Sequence, residues 1–410
     1  MTATRIRKGA TLAVAAAAWL VCAWLLYRTS VPSLHLSGFD EHRFFSAHLL
    51  DRARSYTRGE DLIFALSTIA TLVALGVLCV VLPKSIRQIG LGRIGSAIVA
   101  GMVILVTLWF VDLPFSLFDL WWQHHWGLGP FHVLAWLAAQ WSTLLPLVIS
   151  AMAVIVLLVG LAGRFRRYWW LVAWPAIVAV VALFAFTGGW LGSAGSTRLD
   201  DPQLRTDAAR LARIEGVPGT PVRVMKVSNW TNQVNAYTVG FGPSTHVVLW
   251  DTLLDSGFSR GQEDVVIAHE LGHVRSRHIV KAIGWSALIV LPTLWIVALA
   301  TRRRGGVADP ANLPLVFLLL TVLSLLTAPI QNEVSRRYEA EADWRALNAT
   351  RNPIAGRELF QSFGRTSLQD PNPGLLDYLF LENHPTLMQR IAMTQRWPND
   401  RSSRGGPGSP

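Results

Sequence analysis

Val266-Ile267-Ala268-His269-Glu270-Leu271-Gly272-His273-Val274-Arg275-Ser276-Arg277-His278 is the stretch on which the reading of this chain turns. Positions i and i+4 share a helix face, so His269 and His273 can aim two imidazoles at one metal ion, with Glu270 rotated about 100° away. A zinc ion (Zn2+) held by two histidines and a third protein ligand keeps a position for water, and Glu270 can take that water's proton as it attacks a peptide carbonyl. The spacing predicts one zinc ion per chain and hydrolysis of peptide bonds. The plain alternative is an exposed polar helix. Against it, acidic Glu263 and Asp264 open the helix, and Val265-Val266-Ile267-Ala268 run straight into the motif, as in a buried helix that carries polar groups inward. Gly272, between the histidines, leaves room for another backbone or a substrate to come close.

Around this stretch the chain has the composition of a membrane protein. Of its 410 residues, 51% are hydrophobic and only 15% charged, and mean hydropathy is +0.36. Several of the 18 tryptophans flank apolar runs, where indole prefers the water–lipid interface. The net charge of +11 comes mostly from arginine, gathered in short connections between apolar runs; it bears on orientation and gives no reason to expect nucleic acid. Cys22 and Cys79 lie inside apolar runs, which speaks against a structural disulfide or a thiolate metal site.

Five apolar runs, at about 10–27, 62–82, 94–110, 144–163 and 169–191, can each cross a bilayer core of about 30 Å and make residues 1–198 an N-terminal membrane region. The first follows Arg5, Arg7 and Lys8; it is long for a signal peptide and lacks a clear cleavage site, so an uncleaved anchor is expected. Residues 28–61 read as a polar loop. The paired His124 and His125 point apart on a helix and are assigned to an interface or cavity wall, not to a second metal. Residues 199–282 form the first half of a peptidase domain. It holds an amphipathic helix over 199–215, stopped by Gly216-Val217-Pro218-Gly219, and alternating stretches at 222–227 and 246–250 that predict a small sheet, expected as a hairpin. His246 is assigned to that sheet. The metal helix is expected to run on toward Lys281. Two further spans, about 284–301 and 312–329, fill 283–331; residues 332–397 give the second half of the domain, and 398–410 a disordered tail. The expected fold is mainly α: a seven-span helical membrane protein with a small α+β zinc-metallopeptidase domain.

The third ligand is sought beyond the seventh span, where Glu339 and Asp343 stand four apart on one helix face with Glu341 turned away. Here the chain resembles a family. His-Glu-Leu-Gly-His, followed after two hydrophobic segments by Ser335-Arg336-x-x-Glu339-x-x-Ala342-Asp343, is similar to the integral-membrane zinc peptidases that include the type I CAAX prenyl endopeptidases and the HtpX-type quality-control proteases. Val234-Asn235-Ala236-Tyr237, then Val247-Val248-Leu249-Trp250-Asp251-Thr252-Leu253-Leu254, then His384-Pro385-Thr386-Leu387-Met388-Gln389-Arg390-Ile391 resemble family blocks in the family's order. The segment from Leu113 to Phe118 is similar to one after the third span of the prenyl endopeptidases, whose seven spans also fit better than the fewer of the HtpX branch. The resemblance implies Glu339 as third zinc ligand and Asp343 as the partner orienting a ligand histidine. It further implies His384 on the oxyanion, Arg390 in the site's ionic network, and Asn235, Ala236 and Tyr237 at an edge strand beside the substrate main chain. It also implies a chamber enclosed by the spans. The substrate it suggests is a peptide or protein, lipid-modified or membrane-bound; a quality-control role is the open variant.

Four short stretches, Arg5/Arg7/Lys8, Lys84/Arg87/Arg93, Arg164/Arg166/Arg167 and Arg302/Arg303/Arg304, fall on one side of a seven-span protein in the cell membrane. The positive-inside rule makes that side cytoplasmic, with the N-terminus, and sets the catalytic face outside the cytoplasm, whereas the resemblance implies the cytosolic face. Two rivals stand beside the peptidase. A non-catalytic zinc sensor or scaffold has no need of Glu270 and would close the fourth metal position with a protein ligand. A transporter would carry charge within its spans.

Overall fold

The computed structural model describes residues 2–31, 40–229, 231–255 and 257–403. Six of the long helices are α1 (Thr2–Tyr27), α2 (Ala47–Gln88), α3 (Gly92–His125), α4 (Val133–Phe165), α5 (Trp169–Gly192) and, after the motif helix, α9 (His278–Thr301). Between them lie β1 (Thr197–Arg198), α6 (Pro202–Ile214), β2 (Val222–Met225), β3 (Ala236–Val239), β4 (His246–Trp250), α7 (Asp251–Asp255) and the metal-motif helix α8 (Arg260–Ser276). Then come α10 (Leu313–Thr350), α11 (Pro353–Thr366), α12 (Leu375–Phe380) and α13 (Leu387–Ser403).

Five stretches among the described residues are long and apolar enough to cross a membrane, and one of them, Val133–Gly192, contains both α4 and α5. The most apolar windows of the five are only 11–28% buried. Side chains such as Val80 (75% exposed) and Leu191 (71%) would otherwise face water, which a bilayer removes. The chain is a multi-pass membrane protein. Each helix of the series α2, α3, α4, α5, α9, α10 packs on the next, and α10 returns to α2; α1 lies against α9. Buried residues of these helices concentrate at two levels. Leu75, Ile104, Val159, Ala173, Val297 and Leu313 share one core, while Leu50 and Ala346, from the far ends of α2 and α10, belong to the core formed with the sheet and α8. At the first level the basic connections meet: Arg87 pairs with Asp309 at 3.1 Å, and Arg93 lies against Gly163.

Several expectations need correction. The polar loop expected at 28–61 is helix from Ala47 on, where α2 begins and the Ser46 side chain accepts from Leu49 N–H. Likewise α3 continues through the aromatic stretch to His125. The sheet is not a hairpin: its order is β1-β2-β4-β3, with β2 and β4 parallel, β3 antiparallel to β4 and β1 antiparallel to β2. The 20 residues separating Met225 from His246 allow a crossover that carries β3 to the outer edge. The metal helix stops at Ser276, not near Lys281, because Arg277 takes a left-handed conformation (φ 55°) and its N–H caps the His273 and Val274 carbonyls. Helix α13 runs past Pro398 to Ser403, and 404–410 lie outside the described residues.

Two features position α8. Its start is a capping box: Gln262 N–H donates to Ser259 Oγ, and Ser259 N–H to Gln262 Oε1 at 2.8 Å. Its middle lies against α10, because Gly272 offers no side chain; a Cβ there would stand 3.3 Å from both Ala342 Cα and Arg345 Cβ. Gly272→Val is expected to force the two helices apart, costing on the order of 1–3 kcal/mol and weakening metal binding. Thermal unfolding together with zinc content checks this, and wild-type values for both would reject the close-packing argument.

Candidate metal centre and catalytic cleft

Among the described residues, His269, His273 and Glu339 form a cluster whose donor atoms all lie within 4.8 Å of one another. Two come from adjacent turns of α8 and one from the polar end of α10. Nε2 of His269 and Nε2 of His273 are 3.0 Å apart, and Glu339 Oε2 is 3.1 Å from the first and 3.4 Å from the second. Donors at about 2.0–2.1 Å from a tetrahedral ion stand about 3.3 Å from one another, so these three separations have the size of one tetrahedral face. Glu339 Oε2 is buried and makes no aligned hydrogen bond despite its imidazole neighbours. An orphaned carboxylate oxygen facing two imidazole nitrogens is costly unless a cation sits among them. Electrostatics agree. Burial penalises a charge on His269, yet Asp343 and Glu339 outweigh it and push its pKa up to about 10, so the pocket favours positive charge. The residues fit zinc.

Outer contacts orient the donors. His269 Nδ1 lies 2.9 Å from Asp343 Oδ1, one turn beyond Glu339 on α10. Arg390 of α13 donates to the same carboxylate through two nitrogens, at 2.8 and 2.6 Å. Its guanidinium is also 4.2 Å from the Phe360 ring centroid. Asp343 and Arg390 are both buried, so each is the other's compensation.

Glu270 is buried and points into a cleft of about 200 Å³, lined among others by Asn235, Ala236, His269, His384 and Arg390. Thr238 Oγ1 stands 2.8 Å from Glu270 Oε2 and 3.0 Å from the Glu270 carbonyl. Strand β3 thus turns Ala236 and Thr238 toward α8. By strand alternation Tyr237 faces the other way, where its hydroxyl donates to the Gly192 carbonyl at 3.0 Å. Asn235 is exposed; its Oδ1 accepts from Ala236 N–H, and its carbonyl from Trp250 N–H. His384 stands across the centre, Nε2 3.2 Å from Glu339 Oε2 and Nδ1 2.6 Å from Asn383 Oδ1. The segment leading to it is clamped on α10 by Asn332, bonded to the Leu379 carbonyl, and by buried Arg336, bonded to the Tyr378 and Glu382 carbonyls.

Sequence reasoning missed Thr238, His278 and Arg336. Thr238 could have been found, because it shares a strand face with Ala236. Arg336 stands within the quoted block and had no assignment. His246 stays with the sheet, its Nδ1 2.9 Å from the Ser244 carbonyl. His125 stacks with Trp121 and Trp122, away from the metal cluster.

The chain is thus a helical membrane protein whose described residues include a His-His-Glu group able to hold a metal ion. Residues 198–397 match the model of peptidase family M48. A protease HtpX homologue from Acidiphilium cryptum (strain JF-5) is 30% identical over 210 residues, 50% of this chain and 67% of that protein. The chain belongs to peptidase family M48. An uncharacterized metalloprotease, YhfN of Bacillus subtilis (strain 168), is 29% identical over 252 residues, 58% of this chain and 59% of the relative's length. CAAX prenyl protease 1 of Saccharomyces cerevisiae is 23% identical over 409 residues, 89% of this chain and 88% of that one. The crystal structure of S. mikatae Ste24p superposes with a TM-score of 0.73 at 18% identity, covering 93% of this chain and 97% of that one.

Proposed function

We propose that this protein is a zinc-dependent endopeptidase that crosses the membrane seven times and hydrolyses peptide bonds in the cleft between β3 and α8. The observation that carries the reading is the orphaned Glu339 oxygen between His269 and His273, with Glu270 beside them and outside the donor set. Zinc, when bound by His269, His273 and Glu339, supplies the Lewis acidity that lets water attack a peptide carbonyl at neutral pH.

The chain's own groups do the rest. Substrate backbone pairs with the outer edge of β3, beside Asn235 and Ala236. Tyr237 contributes main chain only, its ring being turned toward Gly192. Glu270 takes the proton of the attacking water on a carboxylate oriented by Thr238, and returns it to the leaving amine. His384, half-buried at the cleft mouth, stabilises the negative charge that develops on the carbonyl oxygen. Arg390 and Asp343 hold His269 in place. The substrate class is a peptide or protein presented at the membrane. The full-length similarity to CAAX prenyl protease 1 favours a lipid-modified peptide, and the similarity to HtpX homologues supports the quality-control alternative.

The basic connections gathered at the bundle end remote from the metal centre support a cytoplasmic N-terminus and a catalytic face outside the cytoplasm. One experiment tests activity and orientation together. Spheroplasts and inverted vesicles of a bacterial host producing the protein are given a membrane-impermeant quenched peptide, with and without an impermeant chelator. Cleavage by spheroplasts alone, lost to chelator and restored by zinc, is the expected result. Cleavage by inverted vesicles alone would reverse the orientation, and no cleavage by either, including of a prenylated peptide, would count against the enzyme.

A further inference from the structure

His273 is tied to a distant part of the chain through two buried side chains. Its Nδ1 lies 2.8 Å from Nδ1 of His278, and His278 Nε2 lies 3.0 Å from Glu341 Oε2. The other oxygen, Glu341 Oε1, accepts from the Ser30 backbone N–H at 2.8 Å and from the Ser30 hydroxyl at 2.6 Å. Lys281 Nζ reaches Glu341 Oε2 at 3.5 Å and donates to the Arg28 carbonyl at 3.2 Å. The His278 ring is stacked on Tyr338, centroids 4.6 Å apart, and the Tyr338 hydroxyl donates to the Leu26 carbonyl at 2.7 Å. His278 is 5% exposed and Glu341 3%. The end of α1 and the residues just after it are therefore fastened to the metal-bearing elements, although Ser30 and Glu341 are 311 residues apart.

The protons along this line have one self-consistent arrangement when His273 gives its Nε2 to a metal. Two ring nitrogens 2.8 Å apart need one proton between them. His273 then carries it on Nδ1 and donates to His278, which must hold its own proton on Nε2 and donate to Glu341. Glu341 as a carboxylate accepts from His278, Lys281 and both Ser30 donors, so no group along the line lacks a partner. His269 receives the same service directly from Asp343.

We propose that His278, Glu341 and Ser30 are a positioning relay for His273, so that docking of the N-terminal helix end is part of what holds the metal. The proposal rests on the zinc reading above. Helix α1 thereby becomes a determinant of metal retention through its C-terminal end, where the Leu26 carbonyl meets Tyr338.

The test measures zinc affinity of the purified full-length protein in detergent by competition with a chromogenic chelator. His278→Phe keeps a ring stacked on Tyr338 but can neither accept nor donate; loss of such an outer bond is expected to weaken zinc binding about 10–100-fold. Ser30→Ala, at an exposed position, is expected to weaken it about 5-fold, the size of one hydrogen bond, with the unfolding midpoint of the zinc-free protein unchanged. In the His278→Phe background Ser30→Ala should have no further effect, because the path is already cut. Wild-type affinity in His278→Phe, or an equal Ser30→Ala effect in both backgrounds, would overturn the relay. If His278→Phe does not fold, Ser30→Ala alone decides, and wild-type affinity in it overturns the proposal. A wild-type protein that takes up no zinc would instead overturn the function on which the relay rests.

Discussion

Glu270→Gln is expected to keep one zinc per chain and to lose hydrolysis by a factor on the order of 10²–10⁴ in kcat, the usual worth of a positioned general base. Glu270 is not one of the three clustered donors, and the amide preserves its volume and its oxygen facing Thr238 Oγ1. What the amide cannot do is take a proton. Cleavage of a quenched peptide, with zinc measured in the same samples, separates the two effects. A variant retaining more than about a tenth of wild-type kcat would show that another group is the base. A variant that lost its zinc would place Glu270 among the ligands.

Glu339→Ala is expected to empty the centre. Four-ligand structural zinc sites bind with about 10–16 kcal/mol, so one ligand is worth about 3 kcal/mol, or on the order of 10²-fold in affinity. The loss here is compounded because His269 and His273 would face each other across 3.0 Å with no anion between them. Asp343→Asn supplies the comparison. It removes an outer partner only, and should cost less zinc affinity than Glu339→Ala while also weakening the hold of Arg390. Zinc content and chelator competition on both variants give the ranking. If Asp343→Asn proves the more damaging of the two, the assignment of ligand and outer partner must be exchanged.

That exchange was open from spacing alone, because Glu339 and Asp343 share a helix face; the three-dimensional arrangement puts Glu339 at 3.1–3.4 Å from both Nε2 atoms and Asp343 against the remote Nδ1 of His269. What was legible came from periodicity. The i, i+4 histidines, the apolar runs and the alternating strands are local patterns, each repeated within a few residues. What was not legible depends on contacts between distant segments. Arg277 carries no sequence sign of its left-handed turn, since that conformation is ordinarily glycine's; without the turn His278 would lie on a continuing helix, away from His273. The parallel pairing of β2 with β4 was hidden because two alternating stretches look alike whichever direction they pair. Glu341, read as turned away, does point away from the cluster, but into a buried pocket with His278.

The centre is divided along the chain. Its histidines and Glu270 lie on α8, its carboxylates on α10 and the cleft's His384 and Arg390 beyond that, with α9 and the apolar half of α10 between. A ribosome that has completed α8 has made only a helix with two histidines. On the proposed reading, peptide-bond cleavage cannot begin until the two apolar helices that follow α8 have been delivered to the bilayer and the chain has folded back over them. On that reading the partition is itself a restraint during biosynthesis: a chain elongated no further than α8 lacks the carboxylate that completes the donor set.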